Sequence, residues 1–227
     1  MKTILEGIVG STAYGLATPE SDIDKLGIYV QDTEDFHGLK LWTDKDFSIV
    51  TTNPDKTLHE VGKFCRLALR CNPTVTELLW LPEDLVTTAT PEGILLRMQA
   101  KNFLSAKLVK DAYMGYAKAQ LGRLEERGDF GSDLKKRTKK HARHLLRLMH
   151  QGYTVYTTGE LPIRLENPEK YHEFGELVAA DPSYGRTRLE DIEKQWEWAK
   201  PAIPESPNTE AINNLMKSIR KANWKDK

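Results

Sequence analysis

Two carboxylates and a Gly-Ser turn near the amino terminus have the clearest potential for chemistry. Gly10 and Ser11 follow an apolar segment, and Asp22 and Asp24 come after a further stretch of chain, in front of a second apolar segment. Because the two aspartates are two positions apart, both carboxylates point to one face of a strand. Closely placed carboxylate oxygens are ligands that Mg²⁺ prefers, and the metal bridges them to substrate phosphates.

The Gly-Ser turn has a chemistry of its own, because it can open a helix directly behind a strand. The first N–H groups of a helix lack intrahelical partners and can face an anion such as a terminal phosphate. Gly10 lets the backbone approach that phosphate closely, and Ser11 adds a hydroxyl donor. Tyr14 lies near the turn and is a candidate for stacking on a base, although a core aromatic is the more common role. Neither a dinucleotide-binding glycine motif nor a P-loop is present in the sequence.

The elements that position these residues are predicted from hydrophobic periodicity and turn formers. Short apolar segments with alternation predict four strands, Ile4–Val9, Lys25–Val30, Asp46–Thr51 and Lys56–Glu60. From Val61 onward the hydrophobic pattern is that of helices. The sequence therefore predicts an α+β fold, with a first domain over 1–92 and a helical domain over 93–227. Within the helical domain, the segments Thr154–Thr157 and Leu161–Leu165 on either side of a Thr-Gly-Glu turn predict a small hairpin near 154–165.

Composition restricts the class of protein. The chain has 227 residues, 33 basic and 33 acidic, so its net charge does not indicate a nucleic-acid or membrane partner. Its apolar runs are too short to span a bilayer, and the amino terminus lacks the pattern of a signal peptide. Cys65 and Cys71 are six residues apart on different faces of a predicted helix, which disfavours a disulfide. We therefore expect a reduced, cytoplasmic protein of unspecified oligomeric state.

The combination of strand, Gly-Ser, spacer, Asp-x-Asp and strand resembles the nucleotidyltransferase motif of the DNA polymerase β superfamily. The string GSTAYGLATPESDIDKLGIYV at 10–30 is similar to that of predicted nucleotidyltransferases that include RNA-repair-associated polymerase-β-like proteins. DKTLHEVGKFCRLALRCNPTVTELLW at 55–80 and KHARHLLRLMHQGYTVYTTG at 140–159 extend the resemblance, which covers most of 4–165. The resemblance implies a polymerase-β-like palm, a small mixed sheet with flanking helices, followed by a helical domain.

The resemblance also implies an activity and its site residues. Enzymes of this superfamily transfer NMP from NTP to an acceptor hydroxyl, release pyrophosphate, and use three carboxylates with two Mg²⁺ or Mn²⁺ ions. Asp22 and Asp24 match the first two carboxylates, while Gly10, Ser11, Tyr14 and Ser21 lie in the nucleotide-binding segment. Asp55 matches the position of the third carboxylate, and Glu60 is the alternative. Asp55 shares a strand face with Thr57 and His59, whereas Glu60 points the other way.

A basic segment over 131–150 is the second candidate binding feature. It carries seven positive side chains against one acidic residue, Asp133, namely Lys135, Lys136, Arg137, Lys139, Lys140, Arg143 and Arg147. Such a run is often a solvated helix face, but seven like charges repel one another, and a polyanion relieves this repulsion. The resemblance favours Lys140, His144 and Arg147 as the subset that contacts a triphosphate or RNA backbone.

These features favour an enzyme that modifies an RNA end, such as that of a tRNA, with an NTP as the second substrate. The motif alone does not separate this function from nucleotidylation of a protein or small molecule, as in toxin–antitoxin systems. A non-catalytic NTP-binding sensor is a further alternative. The basic segment favours a nucleic-acid acceptor.

Overall fold

The chain forms two compact units in a computed structural model that describes residues 1–125 and 132–224. The first unit is discontinuous and joins Met1–Ser105 with Ser206–Lys227, while Ala106–Glu205 form the second. The sequence places a boundary at 92, but the helix that follows packs tightly on the sheet. A Cβ on Gly93 would lie 2.9 Å from the Ile4 carbonyl carbon, so this helix stays with the first unit.

The first unit is built on a five-stranded mixed sheet with the order β3-β4-β2-β1-β5. The strands are β1 (Lys2–Val9), β2 (Asp24–Val30), β3 (Ser48–Thr52), β4 (Asp55–Glu60) and β5 (Val86–Ala89). β2 and β4 are parallel, whereas the other neighbours are antiparallel. The α+β class predicted from the sequence is confirmed. β5 was not predicted, because its sequence VTTA lacks an apolar alternation.

In its described part, the first unit has five α-helices together with this sheet. They are α1 (Gly10–Tyr14), α2 (Val61–Ala68), α3 (Pro73–Thr76), α4 (Pro91–Met98) and, near the carboxyl terminus, α9 (Thr209–Ala222). Fully buried apolar side chains on β1, β2 and α2 form the core, among them Ile4, Leu5, Ile28 and Phe64. Gly27 permits close strand packing, since a Cβ there would lie 2.6 Å from Leu58 Cδ2.

The second unit consists of α5 (Ala106–Glu125), α6 (Ser132–Thr158), α7 (Pro168–Ala180) and α8 (Ser183–Trp198) within its described part. α6 packs against α5 and α7 through small and apolar residues. Gly152 allows α6 to approach α5 closely, because a Cβ there would lie 2.6 Å from Tyr113 Cβ. No helix in the ranges 1–125 and 132–224 is both long and apolar enough to cross a membrane.

The hairpin predicted near 154–165 is wrong, because α6 continues through Thr158. β-Branched residues in this segment favour strands locally, but burial of one face of α6 overrides that preference. The Thr158 hydroxyl donates to the Thr154 carbonyl oxygen at 2.7 Å, as threonines in helices often do. Gly159 then ends the helix with φ +75°, in the left-handed region.

Candidate active site

The turn between β1 and α1 lies directly against Asp24. Gly10 has φ +70°, a conformation that favours glycine, and its neighbour Val9 pairs with Asp24 across β1 and β2. A Cβ on Gly10 would overlap Asp24 Oδ2 and lie 3.3 Å from Asp24 Cγ. Strand pairing thus joins the two ends of the motif, and glycine is required for both the backbone conformation and the space.

Asp22 and Asp24 stand at the beginning of β2. Asp24 is the first residue of the strand and is partly buried, while Asp22 precedes the strand and is exposed. A tight turn leads into them, because Ser21 N–H donates to the Thr18 carbonyl oxygen at 2.8 Å. The Ser21 hydroxyl accepts from Thr18 N–H at 2.9 Å, so its described role is to close this turn.

Asp55 begins the strand next to Asp24. β2 and β4 run parallel with Lys25 paired to Lys56, so the preceding residues, Asp24 and Asp55, occupy matching positions at one edge. Residues in matching register on neighbouring strands point to the same face of a sheet. The structure therefore brings two of the three predicted carboxylates to one face, with Asp22 just ahead of β2.

The lysines that follow these aspartates lie on the opposite face. Lys56 Nζ contacts Glu6 Oε2 at 2.9 Å, and Lys25 Nζ lies 3.7 Å from Glu6 Oε1. Sequence reasoning missed this cluster, although an Asp-Lys pair at the start of both strands is its signal. Alternation within each strand directs the aspartates to one face and the lysines to the other. The two lysines neutralise buried Glu6.

The predicted metal ligands fit Mg²⁺ by chemistry but do not form a complete cage. Among the described residues, no group of three His, Cys, Asp or Glu side chains is close enough to hold a metal ion by itself. Like-charged carboxylates repel one another, which favours separated side chains. Mg²⁺ commonly uses one or two carboxylates together with water and substrate phosphates. The role of Asp22, Asp24 and Asp55 as metal ligands therefore stays a prediction.

Glu60, the alternative third carboxylate, occupies the other end of β4. It pairs with Tyr29 in register, five residues and roughly 16 Å along the strand from the position of Asp55. Glu60 Oε1 lies 2.8 Å from Arg220 Nη2, and Glu60 Oε2 accepts from Gly62 N–H at 2.7 Å. Burial raises the pKa of Glu60, while the charge of Arg220 opposes that rise. Glu60 caps α2 and holds α9.

The structure does not support a base-stacking role for Tyr14. Its ring is buried in the core, with only 2% of the residue exposed, and its hydroxyl donates to Glu77 Oε2. The predicted helix α1 forms, but the side chain of Tyr14, its last residue, is buried. The more common role of a core aromatic therefore applies to this tyrosine.

Lys140, His144 and Arg147 belong to α6 in the second unit. Lys140 is exposed, but Arg147 is buried and donates from Nη1 to Gln151 Oε1 at 2.7 Å. Burial, together with the nearby charges of Arg147 and Lys140, lowers the pKa of His144 to about 3. The three do not form one solvent-facing cationic stripe, since α6 uses part of that face for packing. The side chains of Asp133 and Lys135 lie outside the described residues.

The fold of the chain is that of a polymerase-β-like nucleotidyltransferase palm, a mixed sheet with flanking helices, followed by a helical region. Comparison with families of known proteins agrees with this class. The model of the family RlaP, described as the RNA repair pathway DNA polymerase beta family, matches residues 1–183. The chain belongs to this family.

A curated relative comes from Enterobacteria phage T4. It is described as an uncharacterized 38.9 kDa protein in the nrdC-mobD intergenic region, and it is 26% identical over 135 residues. The matched region covers 56% of this chain and 40% of the phage protein. The chain thus matches less than half the length of this relative, whose description names no activity.

Proposed function

We propose that the protein is a metal-dependent nucleotidyltransferase that transfers NMP from NTP to the hydroxyl of an RNA end. The observation that carries this proposal is the matching register of Asp24 and Asp55 at one sheet edge, with Gly10 packed on the Asp24 carboxylate. The family's description as polymerase-β-like supports the same chemistry. A Gly-Ser turn and carboxylates placed together suit a substrate that carries both phosphates and metal.

In the proposed reaction, the acceptor hydroxyl loses its proton to water and its oxygen bonds to the α-phosphorus of the NTP. The bond between the α-phosphorus and the bridging oxygen breaks, and pyrophosphate leaves. Asp22 and Asp24 would hold Mg²⁺ or Mn²⁺, with Asp55 as the third ligand, and a bound metal stabilises negative charge at the α-phosphate. Gly10 leaves the space that keeps Asp24 at the edge of the sheet.

The lysines behind the aspartates support the proposed site indirectly. Lys25 and Lys56 contact Glu6 on the opposite face of the sheet. Carboxylates at the Asp24 and Asp55 edge attract a divalent cation through their negative charge. A lysine on the same face would compete with the metal for the carboxylate oxygens.

An RNA acceptor is favoured by the family's description and by α6. The family is associated with RNA repair. In the first described part of α6, Lys136, Arg137 and Lys140 are exposed, whereas Lys139 pairs with Glu176 at 2.6 Å. Exposed cations of this kind attract the phosphates of a nucleic acid. Since Arg147 is buried, we assign the RNA contacts to the exposed side chains.

The test is a labelling experiment with the whole 227-residue chain. Each α-labelled NTP is incubated with the protein, Mg²⁺ or Mn²⁺, and total RNA, and the products are separated into RNA and protein fractions. We expect label in RNA, and its absence with the Asp24→Ala variant. Asp191→Ala serves as the matched control, because Asp191 is exposed on α8. Label in the protein fraction alone would contradict the RNA acceptor, and no label in any fraction would contradict transferase activity.

A further inference from the structure

A pocket in the second unit has a chemistry that the proposed transfer reaction does not use. It has a volume of about 400 Å³ and is bounded by the carboxyl-terminal half of α6, the segment after it and the start of α7. We call it the α6–α7 pocket and define it by six of its lining residues, His150, Gln151, Arg164, Glu166, Lys170 and Tyr171. This volume lies within the range of pockets that hold small organic ligands.

A chain of hydrogen bonds orients the hydroxyl of Tyr171. Arg188 Nη2 lies 3.3 Å from His150 Nε2, and a guanidinium has only donors, so this nitrogen of His150 accepts. Burial lowers the pKa of His150 to about 4, which keeps the ring neutral at pH 7 with its hydrogen on Nδ1. His150 Nδ1 then donates to Tyr171 Oη at 2.9 Å.

This arrangement makes Tyr171 a donor toward a further acceptor. Its oxygen already accepts from His150, so its own hydrogen points elsewhere. Tyr171 is 95% buried, and burial raises the pKa of its phenol, which keeps the hydrogen in place at neutral pH. Among the described residues, no other hydrogen-bond partner of Tyr171 is found. An acceptor atom of a ligand in the pocket would satisfy the hydroxyl hydrogen.

The rim of the pocket is predominantly cationic. Arg164 and Lys170 are both exposed at the rim, and Glu166 is its one acidic residue among the described lining. Arg188 adds a third positive charge next to His150. Lys170 lies in the first turn of α7, where the helix dipole also favours an anion. The rim therefore favours a ligand with at least one negative charge.

The floor and one wall of the pocket suit the remainder of a nucleotide. Gln151 is buried and bonded on both sides, accepting from Arg147 at 2.7 Å and donating to the Pro162 carbonyl oxygen at 2.7 Å. These bonds hold the floor rigid. Leu165 and Pro162 add apolar surface, on which a base can pack. A cationic rim beside an apolar wall matches a phosphate attached to a flat, weakly polar body.

We propose that the α6–α7 pocket binds one nucleoside monophosphate, with its phosphate at Arg164, Lys170 and the Tyr171 hydroxyl. The ligand is either a free nucleotide or the phosphorylated end of an RNA strand, since both present the same group. The proposal does not depend on transferase activity, because every residue it uses belongs to the second unit.

Binding is measured by calorimetry with the full-length protein carrying Asp22→Ala and Asp24→Ala, in EDTA, so that the metal-dependent site cannot contribute. AMP is expected to bind and adenosine to bind at least tenfold more weakly. Arg164→Ala and Lys170→Ala should each weaken AMP binding by about tenfold, as loss of a charge-assisted contact does. Lys107→Ala is the matched control, because Lys107 is exposed on α5 and does not line the pocket.

Tyr171→Phe tests the hydroxyl without removing the ring, and we expect a several-fold loss of AMP affinity. Tyr184→Phe, at a half-exposed tyrosine of α8, should have no effect. Competition by a 5′-phosphorylated ribo-oligonucleotide, and not by its 5′-hydroxyl form, would identify an RNA end as the ligand. Binding of AMP without such competition would identify a free nucleotide. Equal affinity for AMP and adenosine, or unchanged binding in the Arg164→Ala/Lys170→Ala double variant, overturns the proposal.

Discussion

The two ends of β4 carry the same chemical group in opposite surroundings. Asp55 at the beginning of the strand is exposed and adjacent in register to Asp24, whereas Glu60 at its end is 1% exposed and paired with Arg220. Exposed carboxylates that gather on one face can bind a cation from solution. A carboxylate buried with a guanidinium already has its cation and connects elements of the fold. The surroundings of a carboxylate, more than its type, decide between these roles.

The largest effect is expected from removing a carboxylate at the exposed end. Asp22→Ala or Asp24→Ala should reduce nucleotidyl transfer by at least about 10³-fold, since metal-based charge stabilisation contributes several kcal/mol. The melting temperature should equal or exceed that of the wild type, because fewer like charges repel one another. Initial rates and thermal melts measure both effects. Unchanged turnover in either variant would remove that aspartate from the metal site.

The two ends of β4 are compared directly through the variants Asp55→Asn and Glu60→Gln. Asp55→Asn should reduce transfer by at least about 10²-fold while Mg²⁺–NTP binding remains, because the nucleotide brings its own metal to the site. Glu60→Gln should have a mild effect on transfer, since Glu60 lies at the far end of the strand. Rates and nucleotide affinity are measured for both variants. The opposite ranking would assign the third carboxylate to Glu60.

The buried end is tested through Arg220. Arg220→Ala should lower the free energy of unfolding by about 3–5 kcal/mol, because it leaves Glu60 buried without its cation. Arg66→Ala is the control: Arg66 pairs with Asp44 at the surface, 58% exposed, and its loss should change stability by at most about 1 kcal/mol. Chemical denaturation measures both variants. Equal effects would mean that burial of the Glu60 pair adds nothing.

The smallest effect concerns pH. The folded-state pKa of Glu60 is raised above its ordinary value, so folding favours the protonated carboxyl. Its contribution to stability is therefore fully present below the unfolded pKa, near 4.5, and is lost as pH rises through the folded pKa. The stability of wild type relative to Glu60→Gln should decline over that interval. Denaturation curves at a series of pH values measure it, and a parallel pair of curves would contradict the assigned direction.

Local patterns predicted the exposed end of β4 better than the buried end. Asp22 and Asp24 are separated by one residue, and the Gly-Ser turn directly follows β1, so short-range spacing was sufficient to locate these residues at the ends of β1 and β2. Strand alternation in the sequence indicated that Asp55 shares a face of β4 with Thr57 and His59. Its position beside Asp24 depends on the parallel register of β2 and β4, which the sequence did not indicate. Its role in catalysis stays a prediction.

Local patterns could not predict the partner of Glu60. Arg220 lies on α9, about 160 residues further along the chain, and no sequence pattern links the two residues. Tyr14 and Arg147 show a related limit. Both lie in segments whose polar or aromatic content indicated a binding surface, yet tertiary packing buries them against Glu77 and Gln151. Burial of a single side chain depends on neighbours from other elements, which spacing within one element does not specify.

The discontinuity of the first unit has a consequence for protein synthesis. Arg220 follows Glu60 by about 160 residues in the chain, which the ribosome adds over on the order of ten seconds at ~5–20 residues per second. During that interval the sheet and α2 can assemble, but the cation that neutralises Glu60 does not yet exist. The nascent unit therefore keeps a solvated or protonated Glu60 at the end of β4, and Glu60 gains its partner only when α9 emerges.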